Sequence, residues 1–214
     1  MEKDVAIMMA DLTGYTAMTE AHGGASAAQV VRKYIELVDS ALVGSCRLFQ
    51  TIGDQVVILS DSASDMLSTA RRLNKLTGDE HHFLSIHAGL HYGPVFIEGN
   101  NLFGSTINVA ARIMNIAQRG EIVCSQTFIA QLSGQATAKS IGRYKLKNIT
   151  DECELFLLNE PVVDHLVIDP VCHMQIDASK SNLFADHNLV TYHFCSAHCL
   201  DRFKAAPSRF ITVK

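Results

Sequence analysis

The sequence feature that most constrains the fold is the segment FQTIGDQVVI at residues 49–58. Gly53 and Asp54 separate two short runs of β-forming residues, and a two-residue hairpin turn needs the positive φ angles that glycine tolerates. The sequence therefore predicts a β-hairpin that holds the Asp54 carboxylate at the rim of a sheet. A carboxylate there can stabilise its own turn or bind a metal, and the hairpin alone leaves both alternatives open.

The composition is typical of a globular protein. Of 214 residues, 48% are hydrophobic and 19% are charged, with 18 basic and 22 acidic side chains and no basic block. Nucleic-acid binding favours clustered Lys and Arg, so we expect no nucleic-acid partner. No segment approaches the roughly 18 apolar residues of a membrane helix, and the short apolar run before Asp11 does not fit a signal peptide. We therefore expect a cytoplasmic protein with no membrane partner.

Hydrophobic periodicity predicts helices that alternate with strands and hairpins. Residues 5–10 are apolar enough for a buried strand, and a helix is expected to begin at Ser26 with a capping box. A strand over residues 83–90 is expected to end at a turn marked by Gly93 and Pro94. This order favours an α+β sandwich over a doubly wound parallel sheet.

Asp11 and Asp54 are candidates for a carboxylate pair, since both lie at the ends of apolar strands. Two carboxylates at one sheet edge can hold two divalent cations, which together promote in-line attack at phosphorus. Mg²⁺ suits such a site, because it binds a few carboxylates together with substrate phosphate oxygens. In the alternative interpretation each aspartate only stabilises its own turn.

Asn108 and Arg112 lie four residues apart on a predicted helix and therefore project from one face. An amide and a guanidinium on one face can bind a single substrate group, and arginine matches phosphate geometry. Lys147 follows a predicted strand and could reach a phosphate or only solvent. A solvated helix face is the alternative for the first pair, and neither common glycine-rich phosphate loop is present in the sequence.

The last 46 residues, 169–214, form a second unit after a predicted linker at 159–168, and they contain three of the six cysteines. A unit of this size rarely buries a sufficient core by itself and needs an additional stabilising element such as a bound metal ion. The three residues between the last two cysteines fit the spacing of structural zinc sites. A metal-free unit with free thiols is the alternative. The candidate ligands are Cys172, Cys195 and Cys199, with His173, His193 or His198 as a possible fourth.

The first part of the chain contains six short motifs: ADLTGYT (10–16), TIGD (51–54), GLHYGPV (89–95), LFGSTINVAARI (102–113), GEIVCS (120–125) and LKNI (146–149). Together and in this order they resemble the catalytic domain of class III adenylyl and guanylyl cyclases. The resemblance covers residues 1–158 and implies a ferredoxin-like α/β sandwich that acts as a homodimer with two composite sites. It implies attack of the substrate's 3′-oxygen on its α-phosphorus, with release of pyrophosphate.

The same resemblance implies a role for each matching residue. Asp11 and Asp54 would bind two Mg²⁺ or Mn²⁺ ions, with the backbone of Leu12 beside the metal. The partner domain would supply three further groups: Asn108 at the ribose, Arg112 at the transition state and Lys147 at the terminal phosphates.

The chain departs from this family at the positions that recognise the base. Adenylyl cyclases commonly place a lysine where Gln50 stands and an aspartate where Asn101 stands, whereas guanylyl cyclases commonly place a glutamate at the first position. Each amide offers both a donor and an acceptor and can suit adenine or guanine. The resemblance favours ATP and leaves GTP, or mixed specificity, as the alternative.

The end of the chain contains the segments DPVCHM (169–174) and YHFCSAHC (192–199), followed by Phe203 and Pro207. These segments resemble a YHS domain, a small metal-associated module related to TRASH domains. His173 stands where this family usually has glycine. Thiolate ligands suit Zn²⁺, Cu or Fe, and they are lost on oxidation. The module could therefore report metal or redox state, or it could be purely structural.

These observations together predict a soluble homodimeric adenylate cyclase with a metal-binding tail that could regulate it. Guanylate cyclase activity is one alternative. The other is a non-catalytic metal or redox sensor that uses the cyclase fold for dimerisation.

Overall fold

The computed structural model describes residues 2–99, 101–132, 137–158 and 166–211. The helices are α1 (Tyr15–Ala41), α2 (Ala63–Asp79), α3 (Ser105–Met114), α4 (Gln126–Ile129) and α5 (Ala197–Ala205), followed by a 3₁₀ turn (Pro207–Arg209). The strands are β1 (Glu2–Leu12), β2 (Arg47–Ile52), β3 (Gln55–Ser60), β4 (Ile86–Glu98), β5 (Asn101–Phe103), β6 (Ile122–Ser125), β7 (Lys139–Lys145), β8 (Glu152–Leu157), β9 (Leu166–Ile168), β10 (Gln175–Asp177), β11 (Phe184–His187) and β12 (Val190–His193). None of the described helices has the length and apolar character needed to span a bilayer.

Eight strands of the described chain form one mixed sheet in the order β2-β3-β1-β4-β6-β8-β7, with β5 paired to β4. β1 lies antiparallel to both β3 and β4, whereas β4 and β6 are parallel. The predicted α+β class is therefore confirmed. The predicted hairpin is also observed, since Ile52 pairs with Gln55 across a turn in which Gly53 has a φ of 64°.

Helices cover both faces of the sheet, and β1 contributes to both interfaces. Successive side chains of a strand point to opposite faces. Met8 accordingly packs in the cluster that contains Tyr34 of α1 and Met66 of α2, whereas Ile7 packs in the cluster that contains Met114 of α3. Because all five of these side chains are buried, each stabilises the fold by about 1.5–3 kcal/mol.

Helix α1 begins earlier than predicted, at Tyr15 rather than at Ser26. Two helical segments are joined across Gly23, whose φ of 79° and ψ of 170° are not helical. The first segment ends at His22, so the kink sets the direction in which that side chain leaves the helix.

The prediction of a turn at Gly93 and Pro94 is wrong, because β4 continues through both residues to Glu98. The physical reason is close packing of α3 against this strand. The Thr106 hydroxyl donates a hydrogen bond to the Pro94 carbonyl at 2.6 Å, and a Cβ atom on Gly93 would lie 2.9 Å from that hydroxyl. Glycine is therefore needed here for space within a strand, not for a turn.

The C-terminal unit packs on the same face of the sheet as α1 and α2. Val171, Phe194 and Phe203 belong to the buried cluster that those helices form, so the unit shares the core of the larger domain. Residues 159–165 of the predicted linker lie outside the described residues, and the remaining three form β9, which pairs with β10. We call residues 166–211 the tail.

Replacing Gly89 on β4 tests the contact that positions α3. A Cβ atom there would lie 2.2 Å from the Met114 amide nitrogen and 2.5 Å from the Ala110 carbonyl oxygen. Because these are backbone atoms, Gly89→Ala is expected to lower the free energy of unfolding by about 2–3 kcal/mol, measured by denaturant titration. Gly24→Ala is the matched control, since nothing lies within 4 Å of its Cβ position. Equal stability of both variants would contradict this packing.

Candidate active site and candidate metal centre

Asp11 and Asp54 are brought into hydrogen-bond contact at one edge of the sheet. The pairing of Ala10 with Val56 places the end of β1 level with the β2–β3 turn. The Asp54 carboxyl is half-buried, and its pKa is raised to about 7 by burial, by its hydrogen bond with Asp11 and by the charge of Asp11. Hydrogen bonds from the backbone of Asp54 and Leu12 oppose this shift. Below about pH 7 the Asp54 carboxyl therefore retains a proton when no cation is bound.

The turn that follows Asp11 is held by β4. The Thr13 amide donates to the Ser85 carbonyl at 2.8 Å, and the Thr13 hydroxyl lies 3.0 Å from His87 Nδ1. Burial lowers the pKa of His87, although the charge of Asp54 acts in the opposite direction. We call Thr13–Gly14 the β1–α1 turn.

Tyr34 of α1 lies close enough to Asp11 and Asp54 for their charges to act on its hydroxyl. Its position on the apolar stripe of the helix did not predict this proximity. Its hydroxyl is buried and has no hydrogen-bond partner in the described part of the chain. Burial raises its pKa, and so do the charges of Asp11 and Asp54. The phenol is therefore neutral and adds no charge to the site.

The donor set at this edge fits divalent cations. Two carboxyl groups held together resist joint ionisation because of their mutual repulsion, and a cation removes that penalty. Oxygen ligands of this kind suit Mg²⁺ or Mn²⁺. The Leu12 amide donates to Asp11 Oδ1 at 3.1 Å and so fixes the orientation of that carboxylate.

The remaining residues of the predicted active site lie at the surface of other elements. The structure thus joins the two aspartates with Leu12 and leaves the predicted transition-state and phosphate groups elsewhere. These groups are Gln50 on β2, Asn101 on β5, Asn108 and Arg112 on α3, and Lys147 after β7; Arg112 is partly buried and the other four are exposed.

Three large apolar side chains are exposed near these positions. Ile52, Phe96 and Phe103 have exposures of 56%, 45% and 49%. The rings of Phe96 and Phe103 pack with their centroids 6.4 Å apart. Ile52 lies at the end of the hairpin that carries Asp54.

The second candidate site lies between the tail and α1. His22, Cys172, Cys195 and Cys199 place their ligand atoms within 4.8 Å of one another, and we call these four residues the shared cluster. Cys195 Sγ lies 3.4 Å from Cys172 Sγ, 3.6 Å from Cys199 Sγ and 3.4 Å from His22 Nε2. His22 precedes Cys172 by 150 positions, so no spacing pattern could have revealed it.

The shared cluster differs from the ligand set predicted from the sequence at its histidine. The group contains His22, whereas His173, His193 and His198 are not among its members in the described chain. His173 instead packs against Gly14, where a Cβ atom would lie 2.4 Å from the His173 Cβ. His198 is exposed to solvent.

Asp169 organises the two loops that carry the first two cysteines. Its carboxylate is fully buried and accepts hydrogen bonds from the amides of Val171 at 2.8 Å, Cys172 at 3.3 Å and Cys195 at 2.8 Å. Burial raises the pKa of Asp169, and these amide hydrogen bonds oppose the shift. The aspartate therefore fixes the relative positions of Cys172 and Cys195.

The third cysteine is presented by the first turn of α5. Ser196 caps this helix and accepts a hydrogen bond from the Cys199 amide at 3.2 Å. Hydrogen bonds from Cys172 and Cys195 lower the pKa of Cys199, whereas that of Cys172 is raised. Three sulfur atoms held this close together suit a thiophilic cation.

Gln175 attaches the tail to the cyclase-like domain through four hydrogen bonds. Its side-chain amide donates to the Thr77 carbonyl at 2.9 Å and accepts from the Ser85 hydroxyl at 2.9 Å. Its backbone amide donates to Phe83 at 2.8 Å, and its carbonyl accepts from His82 at 3.1 Å. Because Gln175 is buried, this attachment is specific in position and orientation.

Several curated relatives are similar to part of the chain. A pH-sensitive adenylate cyclase of Mycobacterium tuberculosis is 23% identical over 159 residues, covering 72% of this chain and 40% of its own length. An adenylate cyclase of Streptomyces coelicolor is 25% identical over 134 residues, covering 62% of this chain and 35% of its own length. This chain therefore spans well under half the length of these relatives.

Solved structures share the fold at low sequence identity. The adenylyl cyclase CyaB from P. aeruginosa superimposes with a TM-score of 0.64 at 14% identity, covering 75% of this chain and 95% of that one. The adenylate/guanylate cyclase/hydrolase from Silicibacter pomeroyi gives a TM-score of 0.62 at 24% identity, covering 75% and 99%.

The family comparisons cover almost the whole sequence. The YHS domain matches residues 167–214, which confirms the resemblance of the tail. The adenylate and guanylate cyclase catalytic domain matches residues 1–160. The chain therefore belongs to the family of adenylate and guanylate cyclase catalytic domains and carries a YHS domain after that domain.

Proposed function

We propose that the chain is an adenylate cyclase that converts ATP to 3′,5′-cyclic AMP and pyrophosphate. The observation that carries this proposal is the contact between Asp11 and Asp54 at the edge of a cyclase-type sheet. The family match and the relatives named adenylate cyclase support it.

Asp11 and Asp54 would hold two divalent cations, Mg²⁺ or Mn²⁺, beside the backbone of Leu12. Bound there, the cations would activate the attacking 3′-oxygen and neutralise charge on the phosphates. The amide hydrogen bond from Leu12 keeps the Asp11 carboxylate in one orientation. Thr13, tied to Ser85 and His87, holds the backbone that follows.

A homodimer would complete the site with residues from the partner. Attack at phosphorus needs cationic or hydrogen-bonding groups at the developing charge, and the candidate groups of this chain lie on α3 and after β7, on elements other than β1 and the β2–β3 turn. Asn108, Arg112 and Lys147 of a second copy would supply these groups. The exposed pair Phe96 and Phe103, whose rings pack together, supports an apolar contact between the copies, since exposed apolar patches favour interfaces.

Gln50 and Asn101 would read the base. Both are exposed in the single chain, on β2 and β5, and a bulge between Leu48 and Gln50 alters the register of β2. Neutral amides can pair with adenine or guanine by rotating their side chains. Guanylate cyclase activity is therefore the second candidate function, because neither Gln50 nor Asn101 carries a charge that would select one base.

Cyclic-nucleotide synthesis provides the primary test. Purified protein incubated with ATP or GTP and Mg²⁺ or Mn²⁺ is expected to form the cyclic product, more rapidly from ATP. Asp54→Ala is expected to lower the rate at least about 100-fold, because it removes a metal ligand. Asp61→Ala is the matched control, since this exposed aspartate pairs only with Lys3 at the surface and such pairs contribute little. No product from either nucleotide with a folded dimer would favour a non-catalytic sensor.

Mixing two inactive variants tests the composite site. Asp54→Ala and Arg112→Ala are each expected to be inactive alone. Random exchange of subunits would make half of the dimers mixed, each with one intact site, so an equal mixture should regain about a quarter of wild-type activity. An inactive mixture, despite subunit exchange shown by native mass spectrometry, would contradict a site shared between protomers.

The raised Asp54 pKa predicts pH-dependent Mg²⁺ binding. In the metal-free protein the pair contributes stability that is complete below pH 3.8 and is lost as the pH rises through about 7, since the folded chain retains a proton there. Mg²⁺ must displace that proton, so its affinity should be about tenfold higher at about pH 8 than at about pH 6, measured by calorimetry. Asp54→Asn should abolish this fall in stability. Equal Mg²⁺ affinity at both pH values would contradict a raised Asp54 pKa.

A further inference from the structure

We propose that the shared cluster is a metal site that joins the two domains. Its ligands are His22 from the catalytic domain and Cys172, Cys195 and Cys199 from the tail. The ion bound at this site would be a thiophilic cation that accepts tetrahedral coordination, such as Zn²⁺. Occupancy of the site would determine how firmly the tail holds the first segment of α1 and the β1–α1 turn. This inference depends on the geometry of the cluster and not on catalytic activity.

The observed distances match a tetrahedral S₃N site. With Zn–S bonds of about 2.3 Å and Zn–N bonds of about 2.0 Å, the edges of such a tetrahedron measure roughly 3.8 Å between sulfurs and roughly 3.5 Å between sulfur and nitrogen. The observed sulfur–sulfur distances are 3.4 and 3.6 Å, and His22 Nε2 lies 3.4 and 3.6 Å from Cys195 Sγ and Cys199 Sγ. These four distances lie within a few tenths of an ångström of the tetrahedral edges, and all six distances among the ligand atoms are below 4.8 Å.

His22 reaches the cysteines because α1 changes direction at the next residue. Gly23 has a φ of 79°, which residues with side chains rarely adopt, and its Cβ position has nothing within 4 Å. The space beside Gly23 is therefore open, and contacts of other residues must fix the direction of the first helical segment. Arg202 of α5 donates to the Glu20 carbonyl at 3.4 Å, a long contact that alone holds the helix end only weakly.

The tail also contacts the other end of this segment. His173 follows the metal-binding Cys172 and packs directly against Gly14, while Arg119 donates to the His173 carbonyl at 3.2 Å. Gln175 accepts from the Ser85 hydroxyl, and the Ser85 carbonyl accepts from the Thr13 amide. The segment 13–22 is therefore held by the tail at both ends, and it begins two residues after Asp11.

Loss of the metal would weaken one end of this segment selectively. The Gln175 and His173 contacts do not involve the ion, whereas His22 would retain only weak contacts with thiols. The helical hydrogen bonds of residues 15–22 are expected to open more often when the site is empty, because local unfolding becomes more frequent where stabilising contacts are lost. The cluster is thus a connection from a tail metal to the backbone beside the catalytic carboxylates.

Zn²⁺ binding and hydrogen exchange on the whole 214-residue chain test this proposal. Wild-type protein is expected to bind one Zn²⁺ at the cluster, and His22→Ala should bind it at least about tenfold more weakly. In wild type, removal of Zn²⁺ should raise amide exchange over residues 15–22 at least about tenfold. In His22→Ala the exchange should be high with or without Zn²⁺.

Two further variants keep the test decisive. His198→Ala is the matched control, since this exposed histidine adjoins Cys199 but lies outside the cluster, and its Zn²⁺ affinity should equal that of wild type. His22→Cys should restore binding, with a Co²⁺ absorption spectrum shifted toward four thiolate ligands. The proposal fails if His22→Ala keeps wild-type affinity, if His198→Ala loses it, or if exchange over residues 15–22 does not respond to Zn²⁺.

Discussion

The antiparallel pairing of β1 with both β3 and β4 is the constraint on which the rest of the structure depends. Its register places Ala10 opposite Val56 and Asp11 opposite His87. The end of β1 therefore meets the hairpin turn, and the Asp11 and Asp54 side chains approach within hydrogen-bond contact. A shift of one residue in the register of β1 against its neighbours would turn the Asp11 side chain to the other face of the sheet. The candidate cation site would then be lost.

The same strand connects the candidate active site to the tail. After Asp11 the chain passes through the β1–α1 turn into a short helical segment that ends at His22, the histidine of the shared cluster. The tail is too small to form an independent core and instead shares that of α1 and α2. Because Gln175 and His173 attach to residues next to this turn, the position of the tail is linked to the backbone beside the carboxylates.

Most of the architecture could be predicted from local sequence signals. The two-residue turn at Gly53 and Asp54 and the α+β class are confirmed, because turn chemistry and hydrophobic periodicity are local properties. Predictions failed where packing overrode a local signal. Gly93 and Pro94 look like a turn in sequence, yet the strand continues through them, since the approach of α3 requires a residue without a side chain. The roles of Asn108, Arg112 and Lys147 remain predictions.

The sequence by itself determined the family, the order of the two domains in the chain and the clustering of cysteines in the tail. Each of these can be recognised from short local motifs. Only the tertiary structure decided which histidine joins those cysteines. His22 and Cys172 are separated by 150 positions, and a spacing argument can compare only residues on the same local element. Their meeting depends on a kink at Gly23, a buried glutamine and a shared core. These are properties of packing, and packing exists only once the chain has folded.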